Sequence, residues 1–180
     1  MTGMSLIAAE LGPLFEGLMK TLTSMENPSA ALVTNRAEVR LVENQHSEAT
    51  VRGFTIVQDE PTSVFGGGRG PTPTDFFIAA VGFCENVVFV RQAGLAGLRI
   101  DALETVVTGR WDRRGLFEID GVEASFQEIN VETRVTTSEP VEKVVDAARA
   151  THRRCPVHVT LQKATKLAFT LVINGQQVAL

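Results

Sequence analysis

The sequence has little of what would mark it for a nucleic acid, a membrane or an oxidised scaffold. Lys and Arg number 17 against 21 Asp and Glu, a net charge of −4. No basic surplus calls for a nucleic-acid or acidic-membrane partner. No uninterrupted apolar run approaches the roughly 18 residues that a membrane span needs. Met1–Leu22 has no basic start, and Glu10, Glu16 and Lys20 interrupt its apolar residues, so it does not read as a signal peptide. Two cysteines among 180 residues are too few for a disulfide framework, and a chain this long does not need one. Repeats and low-complexity segments are missing as well. The expectation is a cytoplasmic protein whose two thiols, if they matter, serve chemistry rather than stapling.

What is present is an ordinary globular composition, 44% hydrophobic and 21% charged, which argues against disorder. The length suits one domain with a real core. The expected division is a helical N-terminal extension over 1–28 and one domain over 29–180. In the extension, Leu11, Phe15, Leu18 and Leu22 recur at helical spacing, predicting an amphipathic helix from Pro13 to Met25 that packs on the body or on a partner subunit.

After Asn27-Pro28-Ser29 the pattern alternates. Ala31–Leu41 and Ala49–Ile56 read as two strands joined near Asn44–Ser47. The run Gly66-Gly67-Gly68-Arg69-Gly70-Pro71 lacks both the Gly-Lys-Ser/Thr ending and the Gly-x-Gly-x-x-Gly pattern of phosphate loops, so it reads as a flexible linker or flap. Thr72, Pro73 and Asp75 form a helix start with a capping box. The helix they open is apolar nearly all round, runs to Ala93 and meets a stop at Gly94. A domain of this size has little to cover such a helix, which points to burial against a second subunit. Leu98–Trp111 and Ala124–Thr136 read as strands around a turn at Phe117–Val122. Ser138 is placed to cap a helix bearing Val141, Val144, Val145 and Ala148. A short helix from Pro156 and a last strand over Lys166–Ile173 follow. The fold class is α+β with antiparallel sheets.

Cys84 lies in the middle of the long helix, sharing a face with Phe77, Ala80, Val81 and Val88. Burial alone would make it inert. Cys155 precedes Pro156 at a helix start, where backbone N–H groups favour a thiolate, and His152, Arg153 and Arg154 stand just before it. Two unrelated core cysteines are the plain alternative. The spacing His152-x-x-Cys155-x-x-His158, with Cys84 as a fourth group, would also suit a metal. Pro156 breaks the helical register between the histidines, and the expectation is no metal and no cofactor.

The segment Gly70-Pro71-Thr72-Pro73-Thr74-Asp75-Phe76-Phe77-Ile78-Ala79-Ala80-Val81-Gly82-Phe83-Cys84, followed far downstream by Cys155-Pro156-Val157, resembles the hallmarks of the OsmC/Ohr family. These are the osmotically inducible and organic hydroperoxide resistance proteins. The resemblance spans Ala37 to Leu161. It implies the OsmC-like fold, an intertwined homodimer in which antiparallel sheets wrap long central helices. It also implies a thiol-dependent peroxidase acting in oxidative-stress defence. Cys84 would attack an organic hydroperoxide and become a sulfenic acid, Cys155 would resolve it to a disulfide, and a dithiol would reduce the disulfide.

The match is imperfect where activation is concerned. Peroxidase members carry an acid directly after the motif proline, paired with an arginine. Here Thr74 takes that place and the acid falls at Asp75, where a capping role fits better. Arg52 and Arg69 precede the helix and are possible activators. Arg91 shares the Cys84 face about 10 Å further along, and Glu85 points about 100° away from Cys84. The rival reading is a non-catalytic dimer that binds an apolar ligand in the same pocket.

Overall fold

The computed structural model describes residues 5–163, 165 and 167–178. Helix α1 (Leu11–Thr23) begins two residues earlier than its apolar spacing suggests. The second expected strand is in fact two. Strands β1 (Glu38–Glu43), β2 (His46–Val51) and β3 (Phe54–Gln58) form one antiparallel sheet in that order. The break falls at Arg52-Gly53, both in the left-handed region with φ of 51° and 84°. A two-residue turn of that geometry suits the twist of a hairpin. The stretch 31–37 does not join β1; Pro28–Ala31 forms a 3-10 turn instead.

The glycine-rich loop is not a flexible linker. It closes around Asp59, whose carboxylate accepts the N–H groups of Glu60, Gly67 and Arg69 at 2.8, 3.0 and 3.3 Å. Gly66 packs so tightly on the Glu60 backbone that no side chain would fit.

Helix α2 (Pro73–Leu95) starts as its sequence predicts. Thr72 Oγ1 accepts the Asp75 N–H at 3.2 Å, and Asp75 Oδ2 accepts the Thr72 N–H at 2.9 Å. The Thr72 hydroxyl and N–H hold the Asp75 carboxyl below the ordinary carboxylate value. The helix does not stop at Gly94. That glycine is buried where α1 crosses, and a Cβ on the facing Gly12 would lie 2.6 Å from the Gly94 carbonyl oxygen. Gly97, with φ of 65°, follows the helix end instead. Although charged residues interrupt it, α2 is long and apolar enough to cross a membrane by length and composition. A scan for uninterrupted apolar runs misses this, because Asp75, Glu85 and Arg91 are spread along it.

Strands β4 (Ala102–Trp111) and β5 (Phe126–Thr136) form a long antiparallel pair against α2. Two 3-10 turns between them replace the single expected turn. Helix α3 (Val141–Arg154) is preceded by Pro140, with no side-chain cap, so Ser138 does not cap it. Helix α4 (Pro156–Leu161) follows after a single residue, Cys155. The last predicted strand shortens to β6 (Leu171–Ile173), paired with β7 (Gln176–Val178) in a hairpin. Its predicted start at Lys166 lies outside the described residues.

The core forms where α1, α2 and α3 meet, around Phe89, Ala93, Leu98, Ile100, Ile7 and Ala147. Helix α2 buries Val81, Glu85, Val88, Phe89, Ala93 and Gly94 against its own chain. Its other side stays open, with Phe83 70% and Val87 50% exposed. Strand β1 is exposed along its whole length, and Phe54 on β3 is 72% exposed.

Candidate active site

The two cysteines come together. Helix α2 carries Cys84 at its middle, and Cys155 sits at the joint where α3 ends and α4 begins. Both thiols are free, and they lie near enough for the Cys84 thiol to act on that of Cys155. Their environments differ. Cys84 is half-buried, whereas Cys155 is fully enclosed.

The joint explains the position of Cys155. Its N–H donates to the Thr151 carbonyl at 2.8 Å, closing α3, and its own carbonyl accepts the Val159 N–H at 2.9 Å, opening α4. Pro156 suits the first position of α4 because it has no N–H to satisfy. A thiolate was the sequence expectation here, and the structure reverses it. Burial pushes the Cys155 thiol up to about 11, outweighing the His158 and Val157 N–H groups that favour the anion, and the neighbouring Cys84 thiol pushes it the same way. Cys155 is a neutral thiol at physiological pH.

Glu85 departs most from its sequence reading. It does point away from Cys84, but into the interior, where it is fully buried. Thr133 on β5 donates to its Oε1 at 3.2 Å. His152 Nε2 lies 3.5 Å from Oε1, and His158 Nδ1 lies 3.7 Å from Oε2. His152 and His158, noted in the sequence for their spacing about Cys155, therefore flank a carboxylate. Among the described residues no three His, Cys, Asp or Glu are grouped as a metal ion would require. Burial lowers the pKa of His158, against the pull of Glu85, and His152 adds to the lowering. The only sequence signal for Glu85 was a charge on an otherwise apolar helix.

A cavity of about 600 Å³ opens between α2, β5 and the α3–α4 joint, one helical turn from each cysteine along its helix, and neither cysteine lines it. Phe77, Val81, Phe126, Ile129 and Leu161 line it, and His152 and His158 stand at its wall. Val81 precedes Cys84 and Glu85 by one helical turn, and His158 follows Cys155 by one.

Of the possible activating arginines, Arg69 is held elsewhere. Arg69 pairs with Glu43 and hydrogen-bonds His46 Nδ1 at 2.9 Å. Arg52 occupies the β2–β3 turn, and Arg91 lies over the Phe15 ring, 6.0 Å from its centroid. Asp75 is a cap and does not reach the thiols.

No curated protein matches the sequence. Among solved structures, the OsmC-like protein from Mycoplasma pneumoniae superposes with a TM-score of 0.63 at 21% identity, over 72% of this chain and 88% of that one. An organic hydroperoxide resistance protein from Elizabethkingia anophelis gives 0.57 at 13%, over 77% and 91%. The organic hydroperoxide resistance protein OsmC from Legionella pneumophila gives 0.54 at 16%, over 73% and 91%. The identities are low, so these likenesses establish the fold alone. The family model for OsmC-like proteins matches residues 66–170, a span that contains both cysteines, Glu85 and both flanking histidines, and the chain belongs to the OsmC-like family.

Proposed function

We propose that the protein is a thiol-dependent peroxidase that reduces organic hydroperoxides in oxidative-stress defence, working as a cytoplasmic homodimer. The observation that carries this reading is the asymmetric thiol pair. A peroxide reaches half-buried Cys84 before enclosed Cys155. Attack by the Cys84 thiolate on the distal peroxide oxygen breaks the O–O bond, giving a sulfenic acid and an alcohol. The Cys155 sulfur, close enough to feel the Cys84 thiol, then displaces hydroxide, which leaves as water with the Cys155 proton. The disulfide returns to two thiols by exchange with a dithiol reductant. The apolar part of the cavity wall, Phe77, Val81, Phe126, Ile129 and Leu161 beside Gln127, Glu128 and Gln162, favours an organic peroxide over hydrogen peroxide. The solved relatives named for organic hydroperoxide resistance lend this substrate class further support.

Intact-protein mass spectrometry after treatment with cumene hydroperoxide tests the reading. The expected result is loss of two hydrogens with both thiols blocked to alkylation. An unchanged mass with both thiols alkylatable overturns it. The cavity itself favours the second reading, a dimer that binds an apolar ligand without turnover. In that case a hydrophobic probe binds while the thiols stay reduced.

A further inference from the structure

Deepening the peroxidase reading and resting on it, the geometry points to His158 as the proton-handling residue of the thiol site, with Glu85 as the residue that positions it. Any attack by Cys84 needs a group that takes the thiol proton and returns it to the leaving alkoxide. Arg69 is held by Glu43 and Arg91 lies over Phe15, whereas Glu85, the residue after Cys84, gathers His152 and His158 around it.

The arrangement has the parts of a carboxylate–imidazole pair. Glu85 Oε2 on α2 lies 3.7 Å from Nδ1 of His158, beyond a hydrogen bond, and its charge draws the ring proton to Nδ1 and leaves the Nε2 lone pair free. Among the described residues the buried Nε2 has no hydrogen-bond partner, and neither does Glu85 Oε2. Buried polar atoms without partners are rare in folded proteins and call for an explanation. Here His158 lines the cavity, so a hydroperoxide that shifts the cavity wall on binding brings its polar end to Nε2 as the partner that atom lacks. The lowered pKa of His158 keeps the imidazole neutral, as a base must be. The other titratable groups around it are His152 at the end of α3, the two thiols, and Glu128 of β5 across the cavity.

The step balances. The Cys84 proton passes to Nε2 through the terminal hydroxyl of the bound peroxide, or through a water in its place when no peroxide is bound. The thiolate takes the distal oxygen, the O–O electron pair leaves with the proximal oxygen, and that oxygen recovers the proton from Nε2. The products are the Cys84 sulfenic acid and the alcohol.

The test uses the full chain with Cys155→Ser, so that only Cys84 reacts. Two rates are measured against pH: alkylation of Cys84 by iodoacetamide, and single-turnover loss of the thiol with cumene hydroperoxide. His158→Gln should slow both by about tenfold or more near neutrality. Glu85→Gln should move the rising limb to lower pH, because the imidazolium loses its anion. His152→Gln, at a position 59% exposed, should move it to higher pH, because a neighbouring positive charge is removed. These opposite shifts decide the matter even if the His158 variant folds poorly. Variants that melt like the parent and keep both rates and limbs within about twofold overturn the assignment. So does stoichiometric zinc that disappears with His158→Gln. Alkylation needs no peroxide. A parent protein inert to peroxide but showing the shifted limbs therefore sinks the peroxidase reading and keeps this one.

Discussion

Cys155 keeps its proton because the chain bends there and hides the sulfur. Its folded pKa, pushed up to about 11 by burial, stands above the roughly 8.5 of an exposed thiol. A group whose pKa rises on folding stabilises the fold fully below its unfolded value. That contribution is lost as pH climbs through the folded value. Thermal denaturation of the reduced protein should therefore show stability falling from about pH 8.5 to 11, and Cys155→Ser should flatten that fall. The thiols should also act in order. Cys155→Ser consumes one equivalent of organic hydroperoxide and leaves a trappable sulfenic acid on Cys84, while Cys84→Ser consumes none; mass spectrometry with a sulfenic-acid trap reads both. The cysteines were legible in the sequence because a local motif surrounds each. Glu85 was not. The angle from Cys84 could be read from helix geometry, but its burial is decided by Thr133, 48 residues away, and by two histidines further still.

Elements were readable where their ends are set locally. The start of α2 lies in four consecutive residues, and the capping box formed as written. Thr72→Ala should cost about 1 kcal/mol, measured by chemical denaturation. Ser138 carries the same kind of signal and fails, because Pro140 takes the helix boundary. The turn at Arg52-Gly53 was hidden because alternation runs through it on both sides. Gly94 looked like a stop, yet it is a contact, and only the approach of α1 reveals this. Gly12→Ala would push a methyl into the Gly94 carbonyl. Overpacking of this kind costs about 1–3 kcal/mol, so the melting temperature should drop. Helix α1 should then become the first segment to exchange its amide hydrogens.

At the scale of the molecule, the single chain leaves apolar surface open. The open side of α2, the bare β1 strand and Phe54 leave apolar faces of the kind that mark an interaction surface. We expect a homodimer that covers them through a large, core-like interface. Sedimentation equilibrium should show twice the chain mass, and a folded monomer at micromolar concentration would refute the expectation. The sequence pointed to this through the apolar circumference of α2, but could not say which face its own chain covers. The joint at Cys155 has one more consequence. A bond from there to Cys84 would enclose about 70 residues, including β4, β5 and α3, and loops of that size stabilise by roughly 4 kcal/mol in the chain-entropy account. The oxidised form should thus melt well above the reduced one, and a melting curve becomes a label-free gauge of how much of the protein has been spent and awaits its reductant.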